Sequence, residues 1–511
     1  MAKSQLKIGA VLTYVNMAIG ALIPMLYTPI MLDMLGQSDY GLYKLASTVT
    51  SYLSLLSFGI GSAVVRYLIM HREKDGTDGE AKMLGLFNVI FGVISAVVLI
   101  VGIILTLNVT KFYDSALTQT ELGQLKLMVM LLTINTAISI SSTVYTSCVI
   151  SHEKFLFLQV INILTTIVTP IANLIALFMG FKSMGLIISS LILTIVIRIV
   201  YTVYVRRTIK IKPKYKGMPT HLIKELIVFS FWVFLGNIVN QLYSATDTMI
   251  IGAIPALATV GVAIYNVGAT FNGMMMNFSI GISSVITPRI NTMVFSGSDT
   301  KELTALLIKV GRLQAYIVTI VCTGFIVFGK QFITLWAGEG YEQAYIVALF
   351  TMIPSCVPLM QSVALNIVVA QNKHKFRSIV YLFIAIVNVI GTILVVNNYG
   401  IVGAAVVSGI AYVIGQGFIM NWYYWKKIKL NIPKFWFSTL RIILIGAVLC
   451  VVSLFITRFV ALNNWIIMFA GIIAYTLIFC ALEWFIAMNS YEKGVFITPL
   501  KNILNKLKKT A

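Results

Sequence analysis

The sequence predicts an all-α polytopic membrane protein of 14 transmembrane helices: two six-helix bundles plus two extra helices, with both termini cytoplasmic. Three observations predict it: the composition, the spacing of apolar segments, and the sidedness of Lys and Arg. Of 511 residues, 59% are hydrophobic and only 11% charged, and the mean hydropathy is +0.93. A soluble domain carries about 25% charged residues. The run "MLGLFNVIFGVISAVVLIVGIILTL" (83–107) holds no charge, and about 20 such residues suffice for a helix to cross a bilayer.

Apolar segments fall at 8–32, 40–69, 83–107, 125–150, 156–179, 184–205, 227–254, 259–287, 312–336, 343–370, 378–397, 401–425, 440–460 and 464–488. The breaks carry turn chemistry, as in "LGQSDYG" (35–41), "MGFKSMG" (179–185) and "VNNYG" (396–400). Lys3 and Lys7 precede a long apolar stretch without the short core and small-residue cleavage site of a secretory signal, so the first segment reads as a retained span.

Of the 38 Lys and Arg residues, all but Lys44, Lys111, Lys126, Lys182, Lys330 and Arg458 fall on one side of this topology. Cytoplasmic loops collect Lys and Arg, which places both termini inside. The net charge of +21 is therefore topological. It marks a face set against anionic membrane lipids and implies no nucleic-acid partner. The tail "PLKNILNKLKKTA" (499–511) spaces Leu500, Ile503, Leu504 and Leu507 at helical intervals among lysines. It reads as an amphipathic helix on the inner surface or as a frayed basic end.

The five cysteines all lie in predicted spans without a C-x-x-C pair, so no disulfide framework is expected. His71, His152, His221 and His374 sit in separate polar loops, and their spacing predicts no metal site.

An internal repeat recurs at an offset of 220. Phe58, Ile60 and Gly61 match Phe278, Ile280 and Gly281. Gly41 matches Gly261, Arg206-Arg207 match Lys426-Lys427, and Pro213-Lys214 match Pro433-Lys434. Six spans fit each unit. The organisation is then an N-terminal bundle (1–205), a basic cytoplasmic linker (206–226), a C-terminal bundle (227–425), two additional helices (426–488) and a basic tail (489–511). Same-orientation repeats are related by an axis along the membrane normal, and rocking one against the other alternates access to a central cavity.

The segments "LGQSDYGLYKL" (35–45), "FGIGSAVVRYL" (58–68) and "ATDTMIIGAIPALATVGVAIYNVG" (245–268) resemble the polysaccharide (Wzx-type) oligosaccharide flippases of the multidrug/oligosaccharidyl-lipid/polysaccharide exporter superfamily. The resemblance extends over the whole chain. It implies a bacterial inner (cytoplasmic) membrane transporter that moves a polyprenyl-pyrophosphate-linked oligosaccharide from the inner to the outer leaflet for surface polysaccharide biosynthesis. Other polysaccharide assembly proteins are implied partners. Related lipid II flippases carry arginines in the first span. Here "IGAVLTYVNMAIGALIPMLYTPIML" (8–32) has none, which counts against lipid II as cargo.

Within the spans, Asp247 is a carboxylate among Leu, Tyr, Met and Ile, roughly 30 Å from the inner end of its helix at ~1.5 Å per residue. Lys44 lies at a matching depth, so an Asp247–Lys44 pair is expected as a gate that closes the outer side. A fixed structural pair, or an Asp exposed at the outer surface, fits the same sequence. Arg66 and Arg289 end the second and eighth spans, and Arg198 lies in the sixth. A guanidinium fork suits the pyrophosphate that the resemblance implies, and each position also suits a snorkelling anchor. Asn16, Asn237, Asn240, Gln241, Asn272 and Asn277 are candidates to line the cavity and meet sugar hydroxyls, although polar residues also join helices in membranes. Asn237, Asn240 and Gln241 share one helical face. Pro24 and Pro29 are candidate hinges in the first span, since proline removes a backbone hydrogen bond. Glu483, in the last span, reads as structural.

No cofactor is expected. The absence of a G-x-x-x-x-G-K-[ST] motif speaks against direct ATP use. The energy source would be a proton or sodium gradient, or the membrane potential. A cation-coupled multidrug exporter of the same superfamily is the alternative, and it would favour carboxylates in the cavity. A membrane glycosyltransferase or polymerase would need a large loop with carboxylates or His. The longest loops, 108–124 and 206–226, carry no paired catalytic arrangement.

Overall fold

The computed structural model describes residues 2–57, 60–371, 373–460, 462–495 and 497, and every regular element among them is helical. The helices are α1 (Ala2–Ser51), α2 (Gly61–Tyr113), α3 (Gln119–Ser151), α4 (Phe155–Phe178), α5 (Lys182–Tyr204), α6 (Ile223–Gly252) and α7 (Ala258–Phe295). They continue with α8 (Thr300–Ala337), α9 (Gln343–Met360), α10 (Ser362–Ala370), α11 (His374–Tyr412), α12 (Met420–Lys426), α13 (Ile432–Ile456) and α14 (Trp465–Leu482). Ten of the described helical segments are long and apolar enough to cross a membrane. The chain is a multi-pass membrane protein.

Three of those segments, of 40, 51 and 52 residues, are too long for one crossing. A straight helix of 50 residues would reach about 75 Å at ~1.5 Å per residue, against a hydrocarbon core of about 30 Å. Each contains a glycine with positive φ that breaks it: Gly36 (φ 71°), Gly76 (φ 65°) and Gly400 (φ 60°). Glycine takes this conformation without a Cβ penalty. Gly36 and Gly400 lie in or end the punctuation "LGQSDYG" and "VNNYG". The helical backbone of α1 runs on through Pro24 and Pro29, so its break falls at Gly36 rather than at either expected hinge.

Helix starts follow cap chemistry. Thr118 and Glu121 form a reciprocal capping box at α3: Thr118 Oγ1 accepts from the Glu121 amide at 3.3 Å, and Glu121 Oε2 accepts from the Thr118 amide at 2.9 Å. Asp299 caps α8, Asn431 caps α13 and Asn464 caps α14. Along the spans large apolar side chains stay uncovered, among them Phe178, Val448, Val451 and Phe485, each more than 60% exposed. Water would penalise such surfaces, and lipid does not.

The chain divides into two compact units, Met1–Asn266 with Ala385–Ala404, and Val267–Ile384 with Ala405–Ala511. In the first, α2 packs on α3, α1 on α4 and α6, and α3 on α5. Leu68, Leu84, Phe87, Phe91, Val98, Val144 and Tyr201 form its core. In the second, α8 is the central helix and carries α9, α13 and α14, with Val327, Phe328, Leu449, Tyr475 and Phe479 between them. This division differs from the boundary expected at the 206–226 linker. Residues 227–266 group with the N-terminal spans because α6 packs on α1, and 385–404 join them through residues 247–261, where Thr392 bonds Asp247 and Ile401 lies against Gly261. The tail expected as an amphipathic helix (499–511) lies outside the described residues, as does Phe58 of the repeat.

Candidate functional site

A polar network in the first unit joins the second half of α1 to α6, to the start of α7 and to residues 385–404. It lies at the end of the spans that is poor in Lys and Arg. Its geometry begins with Gly41. A Cβ built there would fall 1.8 Å from the Thr259 carbonyl oxygen and 2.6 Å from its carbon, so the two backbones are in direct contact. Around this contact Ser38 Oγ lies 3.1 Å from Thr259 Oγ1 and donates to Glu121 Oε1 at 2.7 Å. At the end of α1 Gln241 Nε2 donates to Ser51 Oγ, and Tyr52, which opens the short 3-10 turn after it, shares a hydroxyl hydrogen bond of 2.8 Å with Thr246.

Asp247 belongs to this network and is 2% exposed. Its carboxylate accepts from the Tyr265 hydroxyl at 2.5 Å and the Thr392 hydroxyl at 3.2 Å. Placing an Asp in mid-helix costs about 2.5–3.5 kcal/mol on insertion scales, and hydrogen bonds to a charged group return roughly 1.5–3 kcal/mol each. The expected Asp247–Lys44 pair does not form. Lys44 Nζ stands 5.4 Å from the centre of the Tyr40 ring, one turn back on its own helix. Equal depth does not mean equal azimuth, and the Asp247 carboxylate meets the hydroxyls of Tyr265 and Thr392.

The other expected site residues are dispersed. Arg66 and Arg289 are exposed and make no ion pair among the described residues. Arg198 donates to the Ile138 carbonyl at 3.3 Å, which ties α5 to α3. Asn16 Oδ1 accepts from Thr166 at 3.3 Å, a link between α1 and α4. Asn237 and Gln241 are half-buried, and the side chain of Asn240 lies outside the described residues. In the second unit Asn277 is exposed, while Asn272 Oδ1 is buried without a hydrogen-bond partner among the described residues. Glu483 is fully buried, and neither of its oxygens has a hydrogen-bond partner among the described residues.

Two clusters escaped sequence reasoning. Arg312 of α8 holds Glu492 bidentately, Nε to Oε1 at 2.6 Å and Nη2 to Oε2 at 3.0 Å, and also donates to the Ala487 carbonyl at 2.8 Å. Beside it is a cavity of about 800 Å³ lined by Lys301, Lys309, Lys429 and Lys434, a setting that attracts anionic groups. The second cluster corrects the expectation that no metal-ligating residues meet. Glu80, Cys148 and His152 place their ligand atoms within 4.8 Å of one another.

Residues 6–294, more than half of the chain, match the model of the polysaccharide biosynthesis protein family. The chain belongs to that family. The match takes in residues 6–266 of the first unit, and with them the Gly41–Thr259 contact and Asp247. A putative O-antigen transporter of Shigella flexneri is 22% identical over 404 residues, covering 76% of this chain and 90% of that protein. The fold of this polysaccharide biosynthesis family member extends further. A lipid II flippase solved in an inward closed conformation superposes with a TM-score of 0.70 at 17% identity, over 93% of this chain and 98% of the other. A multidrug resistance transporter of the MATE family of the MOP superfamily, in an inward-facing conformation, gives 0.62 at 13% identity, over 85% of this chain and 99% of the other.

Proposed function

We propose that this protein is a flippase that carries a polyprenyl-pyrophosphate-linked oligosaccharide from the inner to the outer leaflet of a bacterial cytoplasmic membrane, by alternating access, for O-antigen, capsule or exopolysaccharide assembly. Its fourteen crossings leave both termini in the cytoplasm. The observation that carries this reading is the polar network around Gly41, Thr259 and Asp247. It joins spans of the first repeat to spans of the second at the Lys-poor end, where an outer gate must close, and it is built from many short hydroxyl contacts. Contacts of that kind are each worth roughly 0.5–1.5 kcal/mol net, so the gate can open without an unaffordable loss. Family membership and the O-antigen transporter relative support the cargo class.

Arg66 and Arg289, exposed at the Lys-rich ends of their helices, would receive the pyrophosphate, since guanidinium–phosphate pairs are bidentate and stay charged. The basic cavity beside Arg312 suits anionic lipid headgroups. Outward movement of net negative charge gains about 2.3 kcal/mol per charge per 100 mV of potential, negative inside.

Purified protein in proteoliposomes tests the reading. A fluorescent polyprenyl-pyrophosphate sugar should cross the bilayer only where the protein is present. Arg66→Gln with Arg289→Gln should lower that rate tenfold or more while expression and melting temperature stay unchanged. Transport of a cationic dye with no movement of the lipid-linked sugar would refute the flippase reading in favour of drug export.

A further inference from the structure

We propose that Glu80, Cys148 and His152 form a binding site for a divalent transition metal of the zinc class, which clamps α2 to the end of α3. The cluster lies away from the polar network above, and its assignment does not depend on the transport reading.

The local structure explains how the three residues meet. The positive φ of Gly76 interrupts α2, and the helix resumes with Glu80 in its next turn. Cys148 is in the last turn of α3, and His152 is its C-cap residue, with φ −96° and ψ 10°. Glu80 and Cys148 are fully buried. His152 Nε2 lies 2.8 Å from Glu80 Oε1. Arg72 approaches the same oxygen at 3.8 Å, while its Nη2 donates to the Ser151 carbonyl at 3.0 Å. The other carboxylate oxygen, Oε2, is buried and has no hydrogen-bond partner among the described residues. A carboxylate that leaves a lone-pair set unmet in the interior costs free energy. Retaining it there, beside a thiol and an imidazole, calls for a ligand that the oxygen can coordinate.

The donor set selects the ion. Thiolate, imidazole and one carboxylate with a fourth position for water is a zinc-type combination. The sulfur disfavours magnesium and calcium, which take oxygen ligands. Bonds of about 2.0–2.3 Å in a tetrahedron put ligand atoms roughly 3.3–3.8 Å apart. The observed limit of 4.8 Å therefore closes with a shift of about 1 Å, within reach of side-chain torsions. On binding, the Cys148 thiol proton leaves to solvent, and His152 ligates through Nε2 as a neutral imidazole with its proton on Nδ1. Arg72 then stays on Glu80 Oε1 as the outer partner that orients a ligating carboxylate.

Full-length protein in detergent, stripped with a chelator and dialysed against Zn²⁺, should retain one zinc per chain by elemental analysis. Co²⁺ should give a thiolate-to-metal charge-transfer band. Cys148→Ser should abolish that band, and Glu80→Gln and His152→Gln should each weaken binding by about tenfold or more. Should one variant fail to fold, the remaining two and the wild-type stoichiometry still decide. Retention no greater than in a metal-free control protein, or binding indifferent to the substitutions, would overturn the assignment.

Discussion

Gly41→Ala is expected to slow transport by tenfold or more, against the sign that helix propensity alone would give. Alanine is favoured over glycine inside a helix by about 1 kcal/mol, so at an uncrowded position the change stabilises. Gly41 is not uncrowded. The alanine Cβ would lie 1.8 Å from the Thr259 carbonyl oxygen. That oxygen belongs to the backbone at the start of α7 and cannot rotate away as a side chain would. Overpacking a closed contact costs typically 1–3 kcal/mol. The contact must separate, and the hydroxyl bonds of Ser38 around it are lost with it. Gly92→Ala is the matched control, because nothing lies within 4 Å of a Cβ there. It should leave transport intact and keep or raise the melting temperature. Equal transport in the two variants would show that Gly41 and Thr259 do not need to touch.

Arg312→Ala is expected to destabilise the second unit by about 3–5 kcal/mol, the usual cost of stranding a buried charge. The charge stranded is Glu492, whose side chain is 1% exposed and which Arg312 grips with two nitrogens. Burial alone would raise the Glu492 carboxyl. Arg312, the Asn489 amide and Tyr316 outweigh that effect and hold it below its ordinary value. A carboxylate depressed in the folded state adds stability that is fully present above its unfolded value, about 4.5, and lost as pH falls through the folded one. Wild-type stability should therefore fall with acid below about pH 4.5, and the fall should be shallower in Arg312→Ala with Glu492→Gln. The paired substitution should also recover part of the loss in Arg312→Ala. Thermal unfolding in detergent at several pH values measures both effects, and a single variant as stable as wild type would contradict them.

The membrane fold was legible because span length and punctuation are local properties. The glycine breaks of the long segments at Gly36 and Gly400 coincide with turn clusters visible in the sequence, and Gly76 breaks α2 within the polar stretch before residue 83. The repeat also pointed at the site. Gly41 and Gly261 match at an offset of 220, and Gly41 meets the chain two residues before Gly261. Partners were not legible. Depth along a helix can be counted from residues, whereas the direction a side chain faces depends on how helices rotate against one another. That is why Asp247 was matched with Lys44 instead of Tyr265 and Thr392. Glu80 and His152 are 72 residues apart, and Arg312 and Glu492 180. No local pattern links them, because the helices that bring them together are set by packing elsewhere.

The central claim is that the Lys-poor end must open and close for cargo to cross. Ser38→Cys with Thr259→Cys places two thiols where hydroxyl oxygens now stand 3.1 Å apart, and the test is movement of a fluorescent polyprenyl-pyrophosphate sugar in proteoliposomes before and after oxidation. The account predicts that oxidation stops movement and that reductant restores it in the same vesicles, with the single-cysteine variants unaffected. Undiminished movement through a fully cross-linked protein would contradict it.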